Sequence, residues 1–331
     1  MAAIEMIEIW RGGLLESAHA GHAVICDDTG AIVEAWGDPD AVIFPRSSCK
    51  MIQALPLVES GAAEAFGLTA AQLALACASH NGARIHTDPV GRWLAGLGLG
   101  EADLRCGTQM PDDPVARRDL ICSETAPCQL HNNCSGKHAG FLTLNRHLGG
   151  GPEYVAPDHP VQRAALAAFE EVTGESSPGF GIDGCSAPNF ATSVHGLARA
   201  MSAFAVANPD GNRREKAQAS LRDAMTAFPE LVAGEGRACT GLMRAMGGKV
   251  AVKTGAEAVF VAILPEQRRG IAVKIMDGAT RASQAAITAL LIRTGALDAA
   301  HPVVGQLLTG PLTNRRGLIV GETRLAPGFA A

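Results

Sequence analysis

The chain has 331 residues, of which 47% are hydrophobic and 18% charged, so it can bury a large core and is not disordered. The net charge is −5 and the basic residues form no run longer than a pair, which argues against nucleic-acid binding. No uncharged apolar run reaches about 18 residues, so we expect no membrane span. The first ten residues include two glutamates and do not resemble a secretory signal. With nine cysteines, best read as reduced thiols, these features predict a cytoplasmic protein.

Strands are predicted near both ends of the chain. Residues 4–10 alternate between polar and apolar side chains, and Arg11-Gly12-Gly13 interrupts them. Two further strands, 22–26 and 31–35, flank the turn Asp27-Asp28-Thr29-Gly30. Strand-like segments return near the other end of the chain, at residues 249–253, 258–264 and 270–276.

Helical signals fill the middle of the chain. Thr69-Ala70-Ala71-Gln72 predicts a capping box, and Asp88-Pro89 predicts the start of the next helix. Further helices are predicted after Pro45, at 137–148, at 158–172, from Pro188 to about 207, and at 279–294, whereas 106–133 reads as a long functional loop. We therefore predict a single α+β domain over residues 1–331. One antiparallel sheet is built from both termini, with helices packed on it and an inserted helical subregion at roughly 45–245.

Ser47 and Lys50 are the first candidate catalytic pair. They are three residues apart and share one face of the helix predicted after Pro45. A neutral amine can activate a serine hydroxyl, and desolvation or nearby positive charge favours the neutral form. Ser-x-x-Lys has this role in serine β-lactamases and penicillin-binding proteins. By itself the spacing is weak evidence, because a solvated first turn of a helix shows it equally well.

Two later tripeptides strengthen this interpretation. Ser79-His80-Asn81 matches the Ser-x-Asn element of the same enzymes, and Lys253-Thr254-Gly255 matches their Lys-Thr-Gly element. The three motifs occur in the same order as in those enzymes, although Ser79 follows Ser47 sooner than usual. It is the order of the motifs, rather than any one of them, that favours a serine hydrolase.

Cysteines near residues 134 and 185 are candidate metal ligands. Cys134-Ser135-Gly136-Lys137-His138 and Asp183-Gly184-Cys185 place thiols beside amine, imidazole and carboxylate groups. Thiolates bind zinc strongly, but the chain contains no Cys-x-x-Cys or His-x-x-x-His pair. On spacing alone, buried cysteines that act as small hydrophobic residues remain the competing interpretation. Lysine is a rare ligand because its amine must first lose a proton, which a nearby Zn²⁺ favours.

The chain resembles the rhizobial-type L-asparaginase II family. Matching segments occur in order from about residue 8 to about residue 280, so the resemblance is specific. They are Arg11-Gly12-Gly13 with Glu16-Ser17, Arg46-Ser47 with Lys50, Cys77-Ala78-Ser79-His80, Leu104-Arg105-Cys106-Gly107, Asn133-Cys134-Ser135-Gly136-Lys137-His138, Pro157-Asp158-His159-Pro160, Gly181-Ile182-Asp183-Gly184-Cys185 and Gly234-Glu235-Gly236-Arg237 with Cys239-Thr240.

This resemblance implies a serine-β-lactamase-like fold, a homodimer, and hydrolysis of L-asparagine to L-aspartate and ammonia. By position, Ser47 with Lys50 and Ser79 with Lys253 match two Ser-Lys tandems. The family's zinc ligands correspond to Cys134, Lys137 and Cys185, and its substrate-site residues to Arg46, His138 and Asp183. We expect about one Zn²⁺ per chain, which modulates substrate affinity and does not supply the nucleophile. We favour Ser47 as the nucleophile because its lysine is local.

The chain departs from the family pattern in a few places, and alternatives stay open. Ser48 and Cys49 replace residues that are often small and apolar, Asn81 replaces a common serine, and Gln109 stands where a histidine is expected. The alternatives are a glutaminase or β-lactam-acting relative, a zinc-binding homologue without catalytic activity, and a metallohydrolase with zinc-activated water. Ammonia release from asparagine and glutamine, assayed side by side, separates an asparaginase from a glutaminase.

Overall fold

A computed structural model describes residues 2–330. The chain forms two compact units. Unit 1 contains residues 1–48, 192–206 and 241–331, and unit 2 contains residues 49–191 and 207–240. In chain order the strands and α-helices are β1 (Ile4–Arg11), β2 (Leu14–Cys26), β3 (Ile32–Trp36), β4 (Val42–Ile43), α1 (Lys50–Gln53), α2 (Leu55–Glu59), α3 (Ala62–Ala65), α4 (Ala70–Ala76), α5 (Arg84–Gly96), α6 (Pro114–Cys122), α7 (Ser135–Leu148), α8 (Pro160–Thr173), β5 (Phe180–Ile182), β6 (Pro188–Phe190), β7 (Thr192–Ser193), α9 (Val194–Val206), α10 (Arg213–Ala227), α11 (Pro229–Val232), α12 (Ala238–Ala245), β8 (Ala251–Gly255), β9 (Val259–Leu264), β10 (Arg269–Ile275), α13 (Thr280–Arg293), α14 (Pro302–Leu307), β11 (Pro311–Thr313) and β12 (Ile319–Leu325).

Unit 1 is built on an antiparallel sheet of eight strands. Seven strands follow the order β11-β12-β1-β2-β10-β9-β8, and β3 pairs with β2. Every residue of β9 is buried, and α9 and α13 pack against strands of this sheet. At Gly270 the backbone of α9 comes so close that an added Cβ would lie 2.1 Å from the Ser202 nitrogen. A side chain there would therefore force α9 away from the strand.

Unit 2 is mostly helical, and its central helix is α7. Eleven consecutive residues of α7, from Ser135 to Asn145, are buried. The helix contacts α2, α3, α4, α5 and α8. Two glycines one turn apart, Gly136 and Gly140, face α4, where an added Cβ on Gly136 would lie 2.4 Å from the Leu75 carbonyl oxygen. The small residues let the two backbones approach closely and fix the start of α7.

The predicted α+β class is confirmed. The sheet joins strands from both ends of the chain, because β1 pairs with both β2 and β12, and β10 pairs with β2. Helices account for most of the residues between them, as predicted. No helix in residues 2–330 is long and apolar enough to cross a membrane.

Several local predictions are wrong. Asp88-Pro89 does not begin a helix, since α5 starts at Arg84 and contains Pro89. The segment 106–133 includes helix α6, which Asp113 caps by accepting a hydrogen bond from the Ala116 N–H. The helix expected after Pro188 begins at Val194, because residues 188–193 form the short strands β6 and β7. The helix predicted after Pro45 is present, but it opens as a 3₁₀ turn at residues 46–49 that leads directly into α1.

Candidate active site

Three candidate metal ligands come together in unit 2. Cys134 precedes α7, Lys137 lies in the first turn of this helix, and Cys185 lies in the turn between β5 and β6. The Lys137 Nζ atom is 3.0 Å from the Cys185 Sγ atom. All three residues are at most 4% exposed. The short hairpin and the start of α7 therefore place two thiols and an amine in one buried cluster.

The two thiols of this cluster share a hydrogen bond, and their pKa values move in opposite directions. The pKa of Cys134 is raised well above its ordinary value, first by this bond to Cys185 and then by burial. The pKa of Cys185 is lowered because Cys134 donates to it and because Lys137 and His138 stabilise its thiolate. Burial alone would lower the pKa of Lys137, but the charges of Cys185 and Cys134 raise it. The cluster thus favours a thiolate on Cys185 opposite an ammonium on Lys137.

Lys50 connects this cluster to the second candidate serine. Its side chain is only 1% exposed, and its Nζ atom lies 3.1 Å from the Cys134 Sγ atom. The same Nζ donates a hydrogen bond to the carbonyl oxygen of Ala78, the residue before Ser79. Ser79 is itself buried, and its N–H donates to the Val232 carbonyl at 2.8 Å. Lys50 therefore contacts both the backbone beside Ser79 and a candidate metal ligand.

His80 supports Cys134 through the residues on either side of it. The His80 N–H donates to the Asn133 carbonyl at 3.2 Å, and the His80 Nε2 atom is 3.0 Å from the Ser135 hydroxyl. The His80 Nδ1 atom accepts from the Gly82 N–H, so Nε2 carries the proton and donates to Ser135. Burial, and then the positive charges of His86 and Lys50, hold the pKa of His80 well below its ordinary value. His80 is thus a neutral structural brace for the Cys134 segment.

His138, a predicted substrate-site residue, lies beside the thiols. It is fully buried, and burial lowers its pKa to about 4. Its Nδ1 atom is 2.9 Å from the Tyr154 hydroxyl, and this hydroxyl also accepts from the Arg105 N–H at 2.8 Å. A hydrogen bond with Cys185 raises the pKa of His138 against the effect of burial.

Unit 1 contains the other candidate catalytic residues. Arg46, Ser47 and Ser48 lie in the 3₁₀ turn, and Arg46 has a φ of 53°, in the region that a side chain disfavours. Strand β8, with Lys253 and Gly255, packs beside this turn, since an added Cβ on Gly255 would lie 2.6 Å from the Pro45 carbonyl oxygen. Lys253 is 1% exposed, and its Nζ atom donates to the Thr254 carbonyl at 2.7 Å. A strained residue next to a candidate nucleophile is a common feature of functional sites.

The predicted residues thus fall into two groups. Unit 2 brings together Lys50, Cys134, Lys137, His138 and Cys185. Asp183 lies two residues before Cys185 in the same turn, and its charge helps to raise the pKa of Lys137. Unit 1 places Arg46 and Ser47 in a turn beside the strand that carries Lys253.

The sequence did not single out Tyr154, Cys106 or the supporting role of His80. Tyr154 is the only tyrosine in the chain and is completely buried. Cys106 is a further buried thiol near the cluster, with its pKa raised to about 12 by burial and then by the Cys185 charge. The isolation of Tyr154 in an alanine-rich, aromatic-poor chain was the one signal that could have indicated it.

The cluster fits a thiophilic metal ion such as Zn²⁺. In residues 2–330 no three histidine, cysteine or acidic side chains are grouped for metal binding, so a site here requires lysine as a ligand. Cys134, Lys137 and Cys185 provide two sulfurs and one nitrogen, and the Lys137 Nζ atom lies 3.0 Å from the Cys185 Sγ atom. Zinc prefers such donors.

Comparison with solved structures finds proteins of low sequence identity. Mglu in its glutamate form is 15% identical with a TM-score of 0.48, covering 84% of this chain and 61% of its own. A β-lactamase from Mycobacterium bovis is 14% identical with a TM-score of 0.42, covering 80% and 89%. A class C β-lactamase from Rhodobacter sphaeroides is 14% identical with a TM-score of 0.40, covering 80% and 91%. The chain thus spans less than two thirds of the Mglu chain.

A family model gives the more informative result. No curated protein matches the chain. The model described as L-asparaginase II, however, matches residues 7–325, which include the whole buried cluster and every candidate catalytic residue. The protein therefore belongs to the L-asparaginase II family, as the motifs in its sequence predicted.

Proposed function

We propose that the protein hydrolyses L-asparagine to L-aspartate and ammonia through an acyl-enzyme on Ser47. The observation that carries this proposal is the position of Lys50. Its amine is buried, lies three residues after Ser47, and contacts both Cys134 and the Ala78 carbonyl. Ser47 lies in the 3₁₀ turn at 46–49, and Lys50 is the first residue of α1, which follows this turn directly.

The proposed reaction has two steps. In the first, neutral Lys50 takes the proton of the Ser47 hydroxyl while its oxygen attacks the side-chain amide carbon of asparagine. The tetrahedral intermediate collapses, the C–N bond breaks, and the leaving nitrogen takes up a proton to depart as ammonia. In the second step, water attacks the resulting ester and releases aspartate and the Ser47 hydroxyl. Ser79 and Lys253 form the second tandem and relay protons in this scheme.

Arg46, His138 and Asp183 have binding roles in this proposal. The guanidinium of Arg46 suits the α-carboxylate of the substrate, and the Asp183 carboxylate suits its α-amino group. A buried N–H of neutral His138 would orient a further oxygen. Zn²⁺ held by Cys134, Lys137 and Cys185 would supply positive charge that orders the surrounding loop. Because two thiolates already balance that charge, a bound water would be less acidic than one on neutral ligands.

Three variants test the nucleophile assignment. Ser47→Ala and Lys50→Met should each reduce kcat for ammonia release about a thousandfold or more, and the double variant should lose little more. Ser48→Ala is the matched control, because it removes the neighbouring hydroxyl, which donates to the Pro45 carbonyl at 2.7 Å. Additive losses in the double variant would show two independent roles and contradict the tandem.

Parallel assays with glutamine and a β-lactam separate the related amidohydrolases. Faster turnover of either compound than of asparagine would replace the proposed substrate. No turnover with any of the three, in a folded protein that binds zinc, would favour a homologue without catalytic activity. The family resemblance further leads us to propose a homodimer, and the sequence leads us to propose a cytoplasmic location.

A further inference from the structure

One row of residues crosses the sheet of unit 1 and ends beside the turn that carries Ser47. Lys274 in β10 pairs with Val259 in β9, and Val259 pairs with Gly255 in β8. Residues directly opposite each other in an antiparallel pair lie on the same face of the sheet, so Lys274 and Gly255 share a face. Neighbouring strands are about 4.8 Å apart, which puts Lys274 roughly 10 Å from Gly255.

The same face packs against the turn that contains Arg46 and Ser47. An added Cβ on Gly255 would lie 2.6 Å from the Pro45 carbonyl oxygen. Burial lowers the pKa of Lys274, and the positive charge of Arg46 lowers it further. Two cations that repel each other therefore lie near one another, beside the candidate nucleophile.

A strained turn fixes the position of the Lys274 ammonium. The Lys274 Nζ atom donates a hydrogen bond to the carbonyl of Glu257, the central residue of the turn between β8 and β9. Glu257 and Ala258 have φ values of 56° and 57°, in the region that a side chain disfavours, and strained residues of this kind are common at ligand sites. An ammonium has three N–H groups and the Glu257 carbonyl takes one, so two remain for the oxygens of a ligand.

Two acidic side chains act on Lys274 from a distance. The charges of Glu257 and Asp277 raise the pKa of Lys274 against the larger effect of burial. Asp277 is 2.5 Å from the His19 Nδ1 atom and so has a partner of its own. The Glu257 carboxylate lies against Gly278, where an added Cβ would be 2.9 Å from its Oε2 atom. These carboxylates favour the charged form of Lys274 and leave its ammonium accessible to an anion.

We propose that Lys274 is a specificity-determining residue whose ammonium, together with the Arg46 guanidinium, binds the α-carboxylate of the substrate. A carboxylate has two oxygens, so it accepts hydrogen bonds from both cations and offsets the repulsion between them. Lys274, Arg46 and Ser47 all belong to unit 1. The identity of the anion, the α-carboxylate of an amino-acid amide, rests on the proposed function. A purely structural Lys274 would only hold the turn at Glu257.

Binding of two matched probes tests the proposal without any turnover. L-Aspartate carries the α-carboxylate, whereas L-isoasparagine is the same molecule with a neutral amide in its place. Lys274→Gln keeps an N–H donor for the Glu257 carbonyl and removes the positive charge. In calorimetric titrations we expect Lys274→Gln to weaken aspartate binding about tenfold or more, because a charge-assisted hydrogen bond is lost. Its affinity for isoasparagine should equal that of the wild-type protein.

Three further variants separate the charge of Lys274 from its structural contact. Lys274→Arg keeps the charge and should retain most of the affinity for aspartate, whereas Lys274→Met should behave like Lys274→Gln. Lys249→Met is the matched control, because Lys249 is an exposed lysine of the same unit that pairs with Glu266 at 2.8 Å. It should change neither affinity. Should Lys274→Met fail to fold, the comparison of Lys274→Gln with Lys274→Arg still decides the point.

Two results of these titrations would overturn the proposal. Wild-type affinity for aspartate in Lys274→Gln would show that Lys274 only holds the turn. Equal weakening for aspartate and isoasparagine would show that the change is not specific to the carboxylate. A wild-type protein that binds neither probe would refute the proposal as well.

Ammonia release from asparagine, measured on the same variants, distinguishes this proposal from the proposed function. We expect Lys274→Gln to raise KM about tenfold with a smaller change in kcat, because the α-carboxylate is remote from the reacting amide. Hydrolysis with an unchanged KM in Lys274→Gln would refute the carboxylate contact and leave the proposed function standing. Charge-dependent binding of aspartate by a protein that does not hydrolyse asparagine would refute the proposed function alone.

Discussion

Two buried thiols, Cys26 in the sheet and Cys185 beside α7, have pKa values that are shifted in opposite directions. Cys26 lies in β2, is 0% exposed, and has its pKa raised to about 12, chiefly by burial. Cys185 is 3% exposed, yet its pKa is lowered well below the ordinary value. Burial is nearly equal at the two positions, so the difference arises from what surrounds each sulfur.

The surroundings differ in how many polar partners the fold supplies. The positive charge of Arg199 lowers the pKa of Cys26, but its effect is smaller than that of burial. Cys185 instead receives a hydrogen bond from Cys134 and faces the Lys137 ammonium and His138. An apolar sheet keeps a thiol inert, whereas a buried polar cluster converts one into a ligand or a reactive group. Sequence composition does not distinguish these two cases.

The largest expected effect concerns three histidines that are buried in unit 2. Burial lowers the pKa values of His80, His86 and His138, the last to about 4. An unfolded histidine binds a proton near pH 6.5, so between about pH 6.5 and pH 4 the unfolded chain binds more protons than the folded one. Stability should therefore fall as the pH drops through this window, by about 3 kcal/mol from His138 alone.

Denaturant unfolding measured at several pH values checks this expectation. His86→Phe keeps an aromatic ring against His80 but removes one of the three buried imidazoles, so it should reduce the pH dependence. His147→Gln changes a histidine on α7 that is not buried and should leave the dependence intact. A stability that is constant from pH 6.5 to pH 4 would mean that these histidines are protonated in the folded protein.

A second, smaller effect is expected from removing each thiol in turn. Cys185→Ala should lower the zinc affinity at least about a hundredfold, since even partners outside the ligand set contribute 10–100-fold. It should raise KM with a modest change in kcat, because the metal orders the substrate-binding loop in the proposed mechanism. Cys26→Ala should leave metal content and kinetics unchanged and cost about 1 kcal/mol of stability. Metal analysis and steady-state kinetics distinguish the two variants.

One result would contradict the proposed roles of the serine and the metal ion. If zinc loss in a folded Cys185→Ala protein eliminated kcat, catalysis would depend on the metal and not on a serine activated by lysine.

The smallest effect is expected when a charge beside each thiol is removed. In metal-free protein, Lys137→Met should raise the pKa of Cys185 by about one unit or more, because the ammonium stabilises its thiolate. Arg199→Met is the matched change at Cys26 and should raise the pKa of that thiol further. Thiolate absorbance followed against pH reports both values. Equal and negligible shifts would show that hydrogen bonding from Cys134, and not charge, makes the difference.

Much of the fold could be predicted from local patterns. The capping box at Thr69 and Gln72 is present, and helix α13 spans nearly the predicted residues. Strand β12 was missed because none of its residues is buried, so it lacks an apolar pattern, and its pairing with β1 is a distant contact. Helix α6 was missed for the same reason, since it also has no buried residue.

The sequence indicated those candidate site residues that belong to short motifs. Lys50, Cys134, Lys137 and Cys185 were all identified by motif and family resemblance. Tyr154 could not be found in this way, because its role depends on contacts with Arg105 and His138, which are 49 and 16 residues away. The false helix start at Asp88-Pro89 has a similar cause: His86 and Thr87 are buried, so their packing extends α5 beyond the local signal.

The close approach at Gly136 has a consequence for thermostability engineering. Replacing glycine by alanine inside a helix usually stabilises a protein by about 0.5–1 kcal/mol. Gly96, near the end of α5, follows this rule, because nothing lies within 4 Å of an added methyl group. Gly136 breaks it, since the methyl group would collide with the Leu75 carbonyl and displace the helix turn that carries Lys137. A consensus or propensity-based redesign that treats both glycines alike would gain stability at one and damage the ligand cluster at the other.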